Sequence, residues 1–340
     1  MKNSIVIACG LAALLCTSPM AAQQTTDRNM LNHLDVGLSM GVTGIGVELS
    51  MPVGNSVRVR TGYDWMPQFH KNMSFGIQVG NEVENKYDSQ GNRVETKFDK
   101  LAKSLEEFTG NKIDDQVELI GKPTLNNWKV LVDVYPLRNK QWHVTAGFFL
   151  GPANIAKAYN RTEEMQSLLA LDMYNNIHDK VENEEPIFNG VVLDRYEGAG
   201  KTILEYGRMG MGVGEYKNIF ETDEAGNVVL DDQGNPVRKT YIMEPDNDGM
   251  VKATMRVNSF KPYLGFGYRG LVNKRDKRTY IAFDCGVLFW GGKPKVITHE
   301  GVDLVNDLVN VRGSVGDYVD FVSKFTVCPH ISVSISRTLF

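Results

Sequence analysis

The chain has 340 residues, of which 42% are hydrophobic and 23% charged, with a formal net charge of −4. An acidic balance argues against nucleic acid as a partner. No run beyond the first 22 residues approaches the roughly 18 apolar residues that a spanning helix needs, so membrane residence would have to be by strands.

In chain order, residues 1–22 read as a secretory signal. Lys2 gives the positive start, Ile5 to Cys16 the apolar stretch, and Ala21-Ala22 the small residues before Gln23. Segments 34–42 and 45–53 then alternate apolar and polar residues, and the apolar phase flips at Thr43-Gly44. The flip is either a hairpin or a bulge in one long strand, which leaves eight or ten strands open. In 55–66 the apolar set is Val57, Val59, Tyr63 and Trp65, against Arg58, Arg60, Gly62 and Asp64. A weaker alternating segment covers 72–80.

The insertion 81–126 is charged and poor in alternation. Phe98, Leu101, Leu105 and Phe108 recur at helical spacing before Gly110, which predicts a helix from Thr96 to Phe108. Alternation returns in 127–136, with Trp128, Val130, Val132 and Val134 against Lys129 and Asp133. It continues in 142–155, with Trp142, Val144 and Phe148 against His143 and Thr145. A second charged insertion, 158–248, contains Asn160-Arg161-Thr162-Glu163, a capping box that predicts a helix toward Ile177. Gly198-Ala199-Gly200-Lys201-Thr202 imitates the tail of a phosphate-binding loop, but Arg195 stands where its first glycine is required. Further alternating segments are 249–258, 261–270, 278–291 and 329–340, and a third helix is expected from Ser314 to Phe325, within 303–325.

A small repeat, Asp-x-x-Gly-Asn-x-Val, occurs at 88–94, 223–229 and 231–237. Aspartate followed by Gly-Asn is hairpin-turn chemistry. Its carboxylates, with Asp246 and Asp248, raise the question of calcium, yet no twelve-residue loop with a closing glutamate follows. The six histidines lack metal-ligand spacing, and no Gly-x-Ser-x-Gly elbow occurs. No cofactor and no enzymatic activity are therefore expected. After cleavage only Cys285 and Cys328 remain; Cys285 shares the outward phase of Phe283 and Val287, which favours a lone thiol over a disulfide.

A period of two with one apolar and one polar face, and tryptophans at the strand ends, is the pattern of a membrane-spanning barrel. The fold class is all-β: a closed antiparallel transmembrane β-barrel of about 8–10 strands, spanning 23–340, with long and partly helical insertions. Trp65, Trp128, Trp142 and Trp290 are the membrane-interface aromatics of this reading. Its inward set is Arg58, Arg60, Lys129, Lys252, Arg256, Lys261 and Arg269 against Asp35, Asp64, Asp133 and Asp284, with His143 as a further candidate. Seven cations against four anions would form an ionic plug in a narrow barrel, or line an anion-favouring passage in a wider one.

Four motifs carry a resemblance: "TGIGVE" at 43–48, "LVDVYP" at 131–136, "PYLGFGY" at 262–268 and "GVLFWGGKP" at 286–294. In this order they resemble a functionally uncharacterised set of outer-membrane β-barrel proteins of gut Bacteroidetes. The terminal strand, Ile331, Val333 and Ile335 alternating with serines up to Phe340, resembles the assembly signal of Gram-negative barrels. These resemblances imply the cell outer membrane as location, with outer-membrane lipid and the barrel-assembly machinery as partners. The expected function is a non-enzymatic structural or surface-interaction role. The alternatives are a small pore or binding barrel for an anionic ligand, and a soluble secreted β-protein.

Overall fold

The computed structural model describes residues 33–81, 84–223, 225–273, 275 and 277–339. The signal segment and Phe340 lie outside them. Three strands open the chain: β1 (Asp35–Gly41), β2 (Gly44–Val53) and β3 (Val57–Trp65). The first insertion holds β4 (Lys71–Val79), α1 (Lys97–Thr109) and β5 (Gln116–Pro123). Two strands follow, β6 (Asn127–Val134) and β7 (Trp142–Leu150). The second insertion holds β8 (Asn154–Asn160), α2 (Met165–Glu182), α3 (Gly198–Tyr206), β9 (Met209–Phe220), β10 (Arg238–Met243) and β11 (Lys252–Arg256). After β12 (Phe260–Leu271) and β13 (Thr279–Leu288) come β14 (Lys295–Thr298), β15 (Leu308–Val309) and α4 (Gly313–Ser323), and β16 (Cys328–Thr338) closes the chain.

Eight strands close into an antiparallel barrel in the order β1-β16-β13-β12-β7-β6-β3-β2. The phase flip at Thr43-Gly44 is the β1–β2 hairpin. Gly44 takes φ +109°, and a Cβ there would come within 2.3 Å of the Trp65 carbonyl oxygen. The count is eight because 72–80 and 249–258 are strands of a different sheet. Their alternation reports one-sided burial, which a second sheet produces as readily as a barrel does.

That second sheet runs β10-β9-β4-β5-β8-β11-β14, with β15 paired to β9. Every insertion contributes to it, so their bounds widen to 66–126, 151–259 and 289–327. Val117, Leu168, Leu171, Met209 and Met211 are fully buried in its core, where α1, α2 and α4 also pack. The two ends of the sheet approach each other: the Tyr241 hydroxyl lies 3.0 Å from Thr298 Oγ1, and burial pushes the Tyr241 phenol up. Arg208 ties α2 to the end of β10 by bonding Glu244 and Asp179, which hold its guanidinium above the usual range.

Helix α1 has the expected ends. Thr96 Oγ1 accepts the Asp99 N–H at 3.1 Å, Asp99 accepts the Thr96 N–H at 2.9 Å, and Gly110 closes the helix at φ 72°. The capping box expected at 160–163 does not form. The Asn160 side chain instead bonds the Val251 N–H and the Gly249 carbonyl, fixing β8 against β11, and a 3₁₀ turn leads into α2. The Asp-Gly-Asn repeats are turns in which Asp88, Asp223 and Asp231 each accept backbone N–H groups two and four residues ahead. Two of them form a clover: Glu221, Val229 and Val237 join in a ring of backbone hydrogen bonds, with a small hairpin leaving each of two corners. Cys285 and Cys328 are free thiols, and register places Cys328 opposite Leu288 rather than Cys285.

Candidate functional site: the lumen, its cap and the lipid belt

The polar residues of the barrel strands meet in three layers. At the end holding the short connections 54–56, 135–141 and 272–278, Asp35 bonds Arg58, Arg269 at 3.1 Å and Thr338 at 2.5 Å. In the middle, Arg60 bridges Asp133 and Asp284, each at 2.9 Å, and Lys129 reaches Glu48 at 2.5 Å and Asp64 at 2.7 Å. The Thr145 and Thr43 hydroxyls donate to Asp133 and Asp64, and His143 Nε2 lies 2.9 Å from Asp284. At the far end Lys261 donates to Asn127 Oδ1 at 3.1 Å, beside a triangle of Phe149, Tyr263 and His330 with ring centroids 5.4–5.6 Å apart.

Phe149 and Tyr263 of this triangle pack in one apolar cluster with Leu131, Leu288 and Cys328 of the barrel, and Leu125, Ile155 and Trp290 of the insertions close it over the lumen end. Inner-wall glycines leave room for side chains to cross the lumen. The Tyr263 hydroxyl lies over Gly265 and Gly286, where an added Cβ would come within 2.3 and 2.7 Å of it. An eight-stranded barrel is just wide enough for side chains to fill. Here Asp133, Thr145, Phe149, Asn127 and Lys261 are each at most 1% exposed.

The structure thus brings Arg58, Arg60, Asp64, Lys129, Asp133, His143, Lys261, Arg269 and Asp284 together inside the barrel, with Asp35. Lys252 and Arg256 are not among them. Both lie exposed on β11 of the second sheet, where Lys252 pairs with Asp246 at 2.8 Å. Glu48, which sequence reasoning missed, takes their place in the balance of charge. Its signal was present, since it stands between outward Val47 and Leu49. Among the described residues, the interior then holds five cations and five carboxylates instead of a cationic excess.

Outside, the barrel is an apolar belt. Met40, Val47, Leu264, Phe266, Phe283 and Ile335 stand exposed on its strands. Trp128 packs edge-on against Tyr63 at 5.7 Å near one end, and Trp142 against Tyr268 at 5.3 Å near the other. Val134 faces Val144, so Trp142 stands level with position 136, eight residues from Trp128. At about 3.3 Å per residue and a tilt of about 40°, that is roughly 20 Å, close to the height of a membrane barrel's apolar band. Trp65 is exposed at the same end as Trp128, but Trp290 is only 9% exposed. It shares the parity of inward Asp284 and Leu288, so it turns over the lumen into the cap rather than toward lipid. Water does not tolerate so continuous an apolar surface, and a barrel greasy outside and ionic inside spans a membrane.

On α2, His178, Asp179 and Glu182 bring metal-ligating atoms within 4.8 Å of one another, but Arg208 already engages Asp179. A cavity of about 260 Å³ lies between α2 and Phe188, which stacks on Phe108.

No protein-family model matches the chain, and no curated protein matches it in sequence. Among solved structures it is similar to CarO2 of Acinetobacter baumannii, at 12% identity and a TM-score of 0.36, over 91% of this chain and 100% of that one. CarO of the same organism gives 12% and 0.35, over 91% and 99%. A major outer membrane protein of Thermus thermophilus gives 12% and 0.25, over 90% and 98%. The architecture itself stands on the strand pairing of this chain.

Proposed function

We propose that this protein is an integral outer-membrane β-barrel whose barrel is a sealed anchor and whose work is done by the folded domain it holds outside the cell. One observation carries this: all three long insertions leave the same barrel end and fold onto one shared core. Transmembrane antiparallel barrels closed by one chain with an even strand count belong to bacterial outer membranes, where short turns are periplasmic and long loops extracellular. The resemblance of four sequence motifs to Bacteroidetes-type barrels supports the same location. Its partners would be outer-membrane lipid around the belt, the assembly machinery during biogenesis, and a surface ligand of the outer domain; no enzymatic step is assigned.

The passage for small anions loses its premise, because five carboxylates balance five cations in a filled lumen. Cysteine labelling of intact cells tests the display. Asn227→Cys, in a clover turn, should react with a membrane-impermeant maleimide, whereas Asn139→Cys, in the β6–β7 turn, should react only after the outer membrane is opened. The reverse pattern would put the domain in the periplasm and sink the proposal.

A further inference from the structure

Charge is distributed along the barrel axis far from evenly. The three insertions carry 23 basic against 34 acidic side chains, a net charge of −11. At the opposite end, the β6–β7 connection 135–141, the β12–β13 connection 272–278 and Arg337 carry seven basic side chains against one acidic, Asp276. The described residues of these connections are neighbours in space, because β7 pairs with β12 and Thr279 at the start of β13 stands beside Arg337 on β16. They cover one arc of the rim. The β2–β3 turn on the other arc, Gly54-Asn55-Ser56, carries no charge.

We propose that this arc is a binding site for the phosphate groups of anionic phospholipids in the leaflet next to the short turns. Arg138, Lys140, Arg275, Lys277 and Arg337 are all exposed. Arg337 continues the outward row of Ile331, Val333 and Ile335 by one further step, with exposed Leu339 one step beyond it, so it sits near the short-turn end of the apolar belt. The Trp142–Tyr268 pair marks that same end of the belt. Guanidinium and ammonium groups at headgroup depth donate charge-assisted hydrogen bonds to phosphate, and the arginine fork can do so twice. The barrel's lipid interface thus runs through Arg337 on β16 into the cationic turns beside it. The phosphates could also belong to a lipopolysaccharide if the barrel were inverted; the sidedness proposed above assigns them to phospholipid, and the labelling at Asn139 checks that point by itself.

The test uses the full-length protein reconstituted in phosphatidylcholine with spin-labelled lipids. Spin-labelled phosphatidylglycerol should associate about two- to threefold more strongly than phosphatidylcholine at low salt, the preference vanishing near 1 M salt. The variant Arg138→Gln/Arg275→Gln/Lys277→Gln/Arg337→Gln should lose most of it while keeping a heat-modifiable band. Replacing Lys180, Lys217, Lys239 and Lys293 of the outer domain by Gln should leave it intact. Arg337→Gln alone should give a partial loss, which serves if the fourfold variant does not fold. Equal association of the two lipids, or a preference that survives the rim substitutions, would overturn the proposal even if the outer domain is displayed as described.

Discussion

Arg60 is where the interior is most exposed to a single change. It is buried between Asp133 and Asp284, 3.9 Å from Glu48, and its loss leaves carboxylates without compensation in the middle of the barrel. Breaking a buried pair from one side costs about 3–5 kcal/mol, whereas an exposed surface charge is worth less than about 0.5 kcal/mol. Arg60→Ala should therefore lower the unfolding midpoint sharply in a urea series read by heat-modifiable migration, and Arg256→Ala on β11 should not. Similar shifts in both would mean the ion pairs do not hold the lumen. The contrast also shows what was legible at this scale. Parity alone assigns Glu48 and Trp290 to the inner face, once the strand bounds are known. Nothing local distinguishes Lys252 from Lys261, because both alternate with apolar neighbours and only the sheet they join differs.

At the scale of single elements, the outward face of β13 and β6 makes a second expectation. Arg placed at Phe283 or Val132 faces lipid near the midplane and should cost about 2–4 kcal/mol, seen as reduced assembly into the membrane fraction. Unimpaired assembly of both variants would put the wrong face toward lipid. Arg at Thr145 is no mild control, since Thr145 is wholly buried and bonded to Asp133. The clover gives the complementary case. Its hairpins 222–228 and 230–236 are joined to the sheet through the stem of β9 and β10. Replacing 222–236 by a two-residue Asn-Gly turn should leave the barrel's gel shift and its unfolding midpoint unchanged; loss of either would make the clover part of the fold. The strands, α1 and the turn repeats were readable because each follows from spacing within a dozen residues. The capping role at Asn160 was not, because its side chain is claimed by Val251 and Gly249 some ninety residues away.

For the whole molecule, the decisive fact is that the insertions are not separate loops. Leu168 and Leu171 of α2 pack in one core with Val117 of β5 and Leu304 of the third insertion. Replacing both leucines by Ala should cost about 2–5 kcal/mol each and render 66–126, 151–259 and 289–327 protease-sensitive together, with the barrel still protected. Cleavage confined to 151–259 would show that the insertions fold independently. This shared core could not be read from sequence, since no segment records which distant insertion it will meet. The sealed barrel is the central claim, and single-channel recording of the purified protein in a planar bilayer tests it most directly. A lumen filled by balanced charges beneath an apolar cap predicts no steady conductance at any ordinary voltage; discrete, long-lived openings in the unmodified protein would contradict it.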